Sequence, residues 1–351
     1  NIADTLIVGR FLGADALAAV GSAFSLMTFL TSILLGLAMG SGTVFSIRFG
    51  QKDMVGLKEG ILASFTLLGL VTVILNVLIF IGIDWIIWAL RTPTALVEQM
   101  WEYLIVIFAG LVGIFLYNFF AALLRSLGNS VVPLVFLGIS ACLNIGLDLW
   151  FVAGLNRGVA GAAEATVISQ YVSGIGIAIY TKIKFPWLWQ RDKKIRLRLH
   201  RMREIASFSV LTCLQQSIMN LGILAVQGLV NSFGTTIMAA FAAAVKIDAF
   251  AYLPVQDFGN AFSIFVAQNF GAKQTDRIQK GIRVAVLTSV TFSVIISLCV
   301  FVFAKPLMTL FINAKETAVI AQGVCYLHIE GSFYFLIGGL FLLYGLYRAI
   351  G

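Results

Sequence analysis

Long apolar stretches, separated by short polar breaks, follow one another along almost the whole chain. Each stretch is long enough to cross the roughly 30 Å hydrocarbon core of a bilayer as a helix. The breaks are rich in Gly, Pro, Asn and basic residues, which is typical of turns between helices. After a stub that ends before Gly9, the pattern predicts nine further spans, at 15–47, 60–83, 97–124, 131–153, 159–181, 205–231, 236–269, 281–304 and 318–347.

The chain also repeats itself once, at a constant offset along the sequence. Phe11–Leu30 aligns with Ser232–Ala251, and at the same offset Ser46–Ile61 aligns with Ala267–Ile282. A repeat this long exceeds the units of solenoid proteins and indicates a duplicated helical bundle, which in membranes is typical of transporters. The offset covers six spans, and because six is even, both halves enter the membrane in the same direction. We therefore expect two halves related by a pseudo-two-fold axis along the membrane normal.

Composition excludes an ordinary soluble protein. Hydrophobic residues make up 60% of the chain, charged residues make up 11%, and the mean hydropathy is +0.98. A soluble domain is about half apolar and about a quarter charged. The predicted fold class is therefore an all-α polytopic membrane protein, with about ten helices present in two bundles.

The basic residues predict how the chain is oriented in the membrane. Taking the breaks alternately, one side carries 18 Lys and Arg residues and the other carries five, so the first side is cytoplasmic. Nine of the 18 lie in the loop 182–203. This loop could bind nucleic acid or anionic lipid, but we interpret it as an orientation signal on a linker, and we expect no nucleic-acid partner. The predicted organisation is an N-terminal half at 1–181, this cytoplasmic linker, and a C-terminal half at 204–351.

Ionisable side chains inside spans are costly, so each one is a candidate functional residue. Asn144 and Asp148 are four residues apart and share one face of a helix. An amide oxygen beside a carboxylate in a dry bundle can hold a small cation or a proton. Asp4 lies in the stub of the same half, and Thr166 offers a hydroxyl group from the next span. Hydrogen bonding between helices explains the same spacing equally well.

Several segments resemble, in order, motifs of the MATE (multidrug and toxic compound extrusion) family. They are "ADTLIVGRFLGADALAAVG", "FGQKD", "LRSLGNSVVP", "LNIGLDLWF", "GVAGAAEATVIS" and "QNFGAKQTDR". The resemblance spans the whole chain. The resemblance implies twelve helices in two six-helix lobes around a central cavity. This chain is then expected to lack most of helix 1 and all of helices 11 and 12.

The resemblance also implies a function. Members of this family export cationic or amphiphilic compounds in exchange for H⁺ or Na⁺. We therefore expect a secondary active antiporter in the plasma (inner) membrane that works by alternating access. We expect it to act as a monomer on a drug-like substrate, with no cofactor other than the coupling ion.

Four residues match an N-lobe site found in several family members. That site consists of an Asp on helix 1, an Asn and an Asp four residues apart on helix 5, and a Thr on helix 6. We expect the two acids to bind H⁺ or Na⁺, while the amide and the hydroxyl supply neutral oxygens. The matching positions in this sequence are Asp4, Asn144, Asp148 and Thr166.

The second half departs from one family pattern. Some members have an acidic residue in helix 7, but the span 205–231 contains none, so a cation site of that kind is not expected. Gln215 and Gln216 in this span either touch substrate or bridge helices. The other candidates for the substrate cavity are acidic: Asp248, Asp257 and Glu330.

Other functions were weighed against this one. A flippase for a lipid-linked precursor would need a basic cavity, and only Lys246 is a clear basic residue within a span. A receptor or scaffold that does not transport is also compatible with the pattern. An enzyme is not expected, because the two glycine loops lack the GxxxxGK[ST] pattern and no nucleophile elbow, zinc motif or dinucleotide fingerprint occurs.

Overall fold

The computed structural model describes residues 7–8, 11–89, 97–190, 195–231, 233–312 and 314–350. Within these ranges the chain is almost entirely helical and has no β-strand, which confirms the all-α fold class. A π-helix follows α5, and a short 3-10 helix follows α6. The helices are α1 (Gly13–Gly50), α2 (Met54–Ala89), α3 (Val97–Ala109), α4 (Leu111–Ser126), α5 (Val131–Asp148), α6 (Gly158–Lys184), α7 (Leu199–Asn231), α8 (Thr235–Gly271), α9 (Thr275–Thr309), α10 (Thr317–Gly331) and α11 (Tyr334–Ile350).

Many of these helices can cross a membrane. In the described part of the chain, seven helical segments are long and apolar enough to cross a membrane. The number rises to eight if the bent pair α10 and α11 counts as one span. This confirms a polytopic membrane protein. Helix α7 covers the predicted span 205–231 but is not among these segments, and it carries Gln215 and Gln216 in its middle. Most of the predicted stub before Gly9, including Asp4, lies outside the described residues.

Two predicted spans are interrupted near the middle: Val97–Ser126 runs on as one span past a single turn residue, Gly110, whereas the span 318–347 is bent between α10 and α11. Between α3 and α4, the Gly110 N–H donates to the Ile107 carbonyl at 3.0 Å, as in a 3-10 turn. Helix α10 ends at Gly331, and the Phe333 N–H donates to the Glu330 carbonyl at 2.9 Å. The axes of α10 and α11 differ by 50°. Gly110 aligns with Gly331, the last residue of α10, so the turn in the first repeat lies close to the position of the bend in the second.

Contacts divide the chain into two compact units. Unit 1 comprises Asn1–Phe45 and Asp53–Ser217, and unit 2 comprises Ser46–Lys52 and Ile218–Gly351. The division does not follow the linker 182–203, because the first part of α7 belongs to unit 1.

Helix α7 joins unit 1 because it packs closely on α1 at two glycines. A Cβ on Gly36 would lie 2.6 Å from the Cα of Cys213, and a Cβ on Gly40 would lie 2.5 Å from the Phe208 carbonyl oxygen. Small residues that let backbones approach closely are typical of helix packing in membranes.

A network of ion pairs ties the start of α7 to the start of α2 in unit 1. Glu59 is buried and pairs with two arginines, with 3.1 Å to the Arg198 Nε and 3.3 Å to the Arg201 Nε. The Nη1 of Arg201 also lies 2.9 Å from the Glu204 Oε2. Two of the basic residues of 182–203 are therefore anchored to acidic groups of the same unit.

In unit 2, helices α8 to α11 surround a shared apolar core. Two glycines bring α8 and α11 together, because a Cβ on Gly345 would lie 2.5 Å from the Gly259 carbonyl oxygen. Buried members of the core include Ala243, Ala244, Ile247, Met308, Leu327 and Tyr334.

Candidate functional site

The structure brings together two of the four residues that match the N-lobe site. The Asn144 Nδ2 on α5 donates to the Thr166 Oγ1 on α6 at 3.2 Å. Asp148, one turn beyond Asn144, is fully buried. The fourth residue, Asp4, lies outside the described residues. An amide and a hydroxyl group therefore meet at the α5–α6 contact of unit 1, one helical turn from a buried carboxyl group.

Asp148 also marks a change of helix type. It is the last residue of α5, and the π-helix Leu149–Gly154 begins directly after it. In this wider turn the Leu155 N–H donates to the Trp150 carbonyl at 2.9 Å, five residues back. Such turns occur mostly as single bulges inside helices and frequently at functional sites. The hydrophobic pattern predicted a single regular span from 131 to 153 and gave no signal for this irregularity.

Glu164, which precedes Thr166 by two residues, belongs to a different contact. Its Oε2 lies 2.9 Å from the Arg157 Nη1, and the Arg157 guanidinium lies 5.9 Å from the centre of the Phe151 ring. Side chains two residues apart on a helix do not face the same way. The ion pair therefore holds Glu164 away from the Asn144–Thr166 contact.

Further hydrogen bonds join α5 and α6 without any acidic group. The Ser140 hydroxyl donates to the Ser169 carbonyl at 3.0 Å, and the Ser173 hydroxyl donates to the Phe136 carbonyl at 3.4 Å. These bonds serve helix packing alone. The polar contacts of this helix pair therefore include ordinary packing bonds in addition to the Asn144–Thr166 contact.

A second polar cluster lies in unit 2. Asp248 on α8 is only 8% exposed, and its Oδ1 accepts a hydrogen bond from the Tyr334 hydroxyl at the start of α11. Glu330, at the end of α10, lies beside Asp248. Sequence analysis named the two acids separately and missed Tyr334. The spacing of four residues between Glu330 and Tyr334 could have indicated that these two side chains lie close together.

The other cavity candidates do not join either cluster. Gln216 is buried in unit 1, with its Nε2 3.9 Å from the Met39 sulfur, while Gln215 is half-buried. Asp257 lies on an exposed part of α8. Lys246 is exposed, with its Nζ 5.8 Å from the centre of the Phe311 ring. In the described ranges, no group of three or more His, Cys, Asp and Glu side chains is placed to hold a metal ion.

A duplicated set of apolar helices with buried polar clusters inside the spans defines a membrane transporter rather than an enzyme. Comparison with known proteins agrees. The MatE family model matches residues 1–150 and 212–351, so the chain belongs to the MatE family of transporters. This confirms the resemblance noted in the sequence motifs.

Similar proteins and solved structures also include transporters. The probable multidrug resistance protein YoeA of Bacillus subtilis is 29% identical over 355 residues, which cover 99% of this chain and 76% of the relative. A FAD transporter of Shewanella oneidensis is 24% identical over 330 residues, which cover 89% of this chain and 70% of the relative.

The outward-facing structure of a multidrug resistance MATE family transporter of the MOP superfamily superposes with a TM-score of 0.91 at 21% identity, over 100% of this chain and 79% of the other. The bent form of the Vibrio cholerae MATE transporter VcmN gives a TM-score of 0.90 at 23% identity, over 99% and 78%. At sequence identities of 21% and 23%, the structural similarity establishes the fold alone.

Proposed function

We propose that this protein is a secondary active antiporter that exports lipophilic or cationic drug-like compounds in exchange for H⁺ or Na⁺. Two Bacillus subtilis relatives are named as probable multidrug resistance proteins, which supports export of drugs. The observation that carries the coupling is Asp148, a fully buried carboxyl group within a span, beside the Asn144–Thr166 contact.

The hydrogen bond between Asn144 and Thr166 assigns a role to each neutral group. Because the Asn144 Nδ2 donates to Thr166, the amide oxygen of Asn144 is left to accept a hydrogen bond or to face a cation. The Thr166 hydroxyl keeps its own hydrogen as a donor. In this proposal Asp148 carries the charge that H⁺ or Na⁺ neutralises, and Asp4 is the second acid by its match to the family motif.

Coupling then follows from the cost of charge in a membrane. A carboxylate buried away from water is unfavourable unless it is neutralised, so ion binding favours the conformation that shields Asp148. Release of the ion favours a conformation in which Asp148 is hydrated. A ligand that binds two states differently shifts their populations, which is the basis of alternating access.

The proposal includes an arrangement in the plasma membrane. Residues 1–181 and 204–351 act as the two lobes, and 182–203 lies on the cytoplasmic side as their linker. The protein works as a monomer, with a small drug-like molecule and the lipid bilayer as its partners.

The test uses the full-length protein in proteoliposomes. Efflux of a fluorescent lipophilic cation is followed under an imposed H⁺ or Na⁺ gradient for the wild type, Asp4→Asn and Asp148→Asn. We expect gradient-driven efflux to be lost in both variants, because neither amide can take up the coupling ion. Glu164→Gln is the matched control, since that acid lies in the same half but pairs with Arg157. Efflux that persists in Asp148→Asn would remove Asp148 from the coupling role.

A second substrate class can be tested in the same assay. One relative is named as a FAD transporter, and in this chain the exposed Lys246 lies over the Phe311 ring, which suits an anionic aromatic compound. Competition between the cation and FAD, compared in the wild type and Lys246→Gln, separates the two classes. Absence of efflux under either gradient would favour the alternative function, a flippase for a lipid-linked precursor.

A further inference from the structure

We propose that the first turns of α9 bind the headgroup of an anionic phospholipid through Arg277, Lys280 and Arg283. These three exposed side chains of unit 2 are spaced three residues apart, and we call them the basic stripe. The argument uses the placement of α9 across the membrane and not the coupling role of Asp148. Only the choice of the cytoplasmic leaflet rests on the orientation proposed above.

The basic stripe continues into the face of α9 that contacts lipid. Lys280, Leu287 and Val294 follow one another at intervals of seven residues, so they lie on one face of the helix. Leu287 is 69% exposed, and Leu298, which follows on the same face, is 63% exposed. Large apolar side chains this exposed within a membrane span face hydrocarbon. Lys280 therefore lies next to lipid where α9 enters the bilayer.

The length of α9 places the basic stripe at the level of the lipid headgroups. The helix has 35 residues, whereas about 20 residues cross the hydrocarbon core. The predicted span begins at residue 281, so Arg277 and Lys280 precede it and Arg283 lies just inside it. Long basic side chains at this depth keep their methylene groups in apolar surroundings and extend their charge to the interface.

The charge of the basic stripe is not balanced by the protein. Within the ranges that the structure describes, none of the three bases forms an ion pair. Asp276, in the first turn of α9, is exposed, and the exposed Lys273 precedes the helix. One acid thus faces four bases. Anionic lipids attract basic residues that lie next to a span, and a guanidinium group matches the geometry of a phosphate.

The first repeat shows that the helix does not require these bases. Helices α2 and α9 begin at equivalent residues of the repeat. The positions that correspond to the basic stripe in α2 are Gly56, Glu59 and Leu62. Glu59 is buried and pairs with Arg198 and Arg201 of α7. In unit 2 the equivalent Lys280 is exposed and has the opposite charge, so the partner that fits it is an anion.

A phospholipid satisfies both parts of this surface. Its phosphate group pairs with the basic stripe, and its acyl chains lie along Leu287 and Val294. A soluble anion would contact the bases alone. The continuity between the basic stripe and the lipid-facing side chains therefore favours a lipid.

Binding at the basic stripe has a consequence for unit 2. On the opposite face of the same turns, Ile278 and Ile282 pack against the apolar core that also receives Ile47 of α1. A lipid that holds the start of α9 in place therefore supports this packing. We expect anionic lipid to stabilise the folded protein, because a ligand that binds only the folded state opposes unfolding.

The first test measures lipid binding by native mass spectrometry of the full-length protein in detergent. Phosphatidylglycerol and phosphatidylcholine are titrated separately, and we expect the wild type to prefer phosphatidylglycerol. The double variant Lys280→Gln, Arg283→Gln should bind it about fivefold more weakly for each charge removed. The matched control Lys182→Gln, Lys184→Gln removes the same charge from the exposed end of α6 and should keep the preference.

Thermal unfolding is the second readout. Phosphatidylglycerol should raise the melting temperature of the wild type more than phosphatidylcholine does, and this difference should disappear in the double variant. Lys280→Arg combined with Arg283→Lys should retain it, because the charge is preserved. Asp148→Asn should also retain it, so failure of the coupling proposal is distinguishable.

Two outcomes would overturn the proposal. The first is a preference for phosphatidylglycerol that is absent from the wild type or unchanged in the Lys280→Gln, Arg283→Gln variant. The second is equal stabilisation by inorganic phosphate, because the ligand would then be a soluble anion and not a lipid.

Discussion

Gly50, the last residue of α1, and Gly271, the last residue of α8, form two contacts that are copies of each other. A Cβ on Gly50 would lie 2.0 Å from the Gln268 carbonyl oxygen, and a Cβ on Gly271 would lie 2.1 Å from the Ile47 carbonyl oxygen. Gly50 and Gly271 are related by the offset of the sequence repeat. The same offset relates Ile47 and Gln268, whose carbonyl oxygens the two glycines approach. Both contacts lie within unit 2, where these helix ends cross with local two-fold symmetry.

This symmetry leads to a first prediction. Gly50→Ala and Gly271→Ala should each destabilise the protein by a similar amount, about 1–3 kcal/mol, because either methyl group meets backbone that cannot move away. Thermal unfolding in detergent is the measurement. Gly82→Ala is the control, since no atom lies within 4 Å of a Cβ at that position. Two glycine variants with clearly different costs would contradict the symmetric crossing.

The hydrogen bond between Asn144 and Thr166 leads to a second prediction. Thr166→Val removes the acceptor of this bond, whereas Thr166→Ser keeps it. We expect a stability loss of only about 0.6 kcal/mol in the valine variant, the average for such bonds between membrane helices. We also expect a weaker apparent affinity for the coupling ion in valine but not in serine. Equal ion dependence in both variants would indicate that this hydroxyl serves packing alone.

The ion pair between Arg157 and Glu164 leads to a third prediction. Arg157 is half-exposed, so the pair should contribute no more than about 1 kcal/mol, as surface salt bridges do. A double-mutant cycle with Arg157→Gln and Glu164→Gln measures this coupling energy. Ion-driven efflux should keep its wild-type ion dependence in both single variants. A changed ion dependence in Glu164→Gln would place that acid in the coupling site.

The buried carboxylate of Glu59 leads to a fourth prediction. Glu59→Gln leaves Arg198 and Arg201 without their shared partner, and breaking a buried ion pair costs about 3–5 kcal/mol. Because Arg198 is largely exposed, we expect a loss at the lower end of that range. Thermal unfolding of Glu98→Gln, an exposed acid at the start of α3, provides the comparison. Equal melting temperatures for the two variants would show that the network does not stabilise unit 1.

Sequence alone predicted the parts of this fold that depend on local pattern. The length of the apolar stretches predicted the helices, and the spacing of Asn144 and Asp148 predicted that they share one helix face. Thr166 was a candidate because it lies in the next span, and the family resemblance favoured it, since hydrophobic periodicity cannot say which residues of two helices meet. The structure brings Asn144 and Thr166 into contact, while the coupling role of this group stays a prediction.

The remaining features depend on partners that lie far apart in the sequence. The hydrophobic pattern is the same on both sides of Gly110, so it could not reveal a break there. Asp248 and Tyr334 are 86 residues apart, and only packing of α8 against α11 brings them together. The ion pair of Glu164 with Arg157 likewise follows from the way α6 begins.

The turn after α3 and the bend after α10, at nearby positions of the repeat, describe the history of the chain as well as its shape. A turn at nearby positions in both copies indicates that they inherited it from one ancestral bundle. The acids of unit 2 stand where unit 1 has Met27 and Ala109, which means that the copies diverged in chemistry while they kept the same frame.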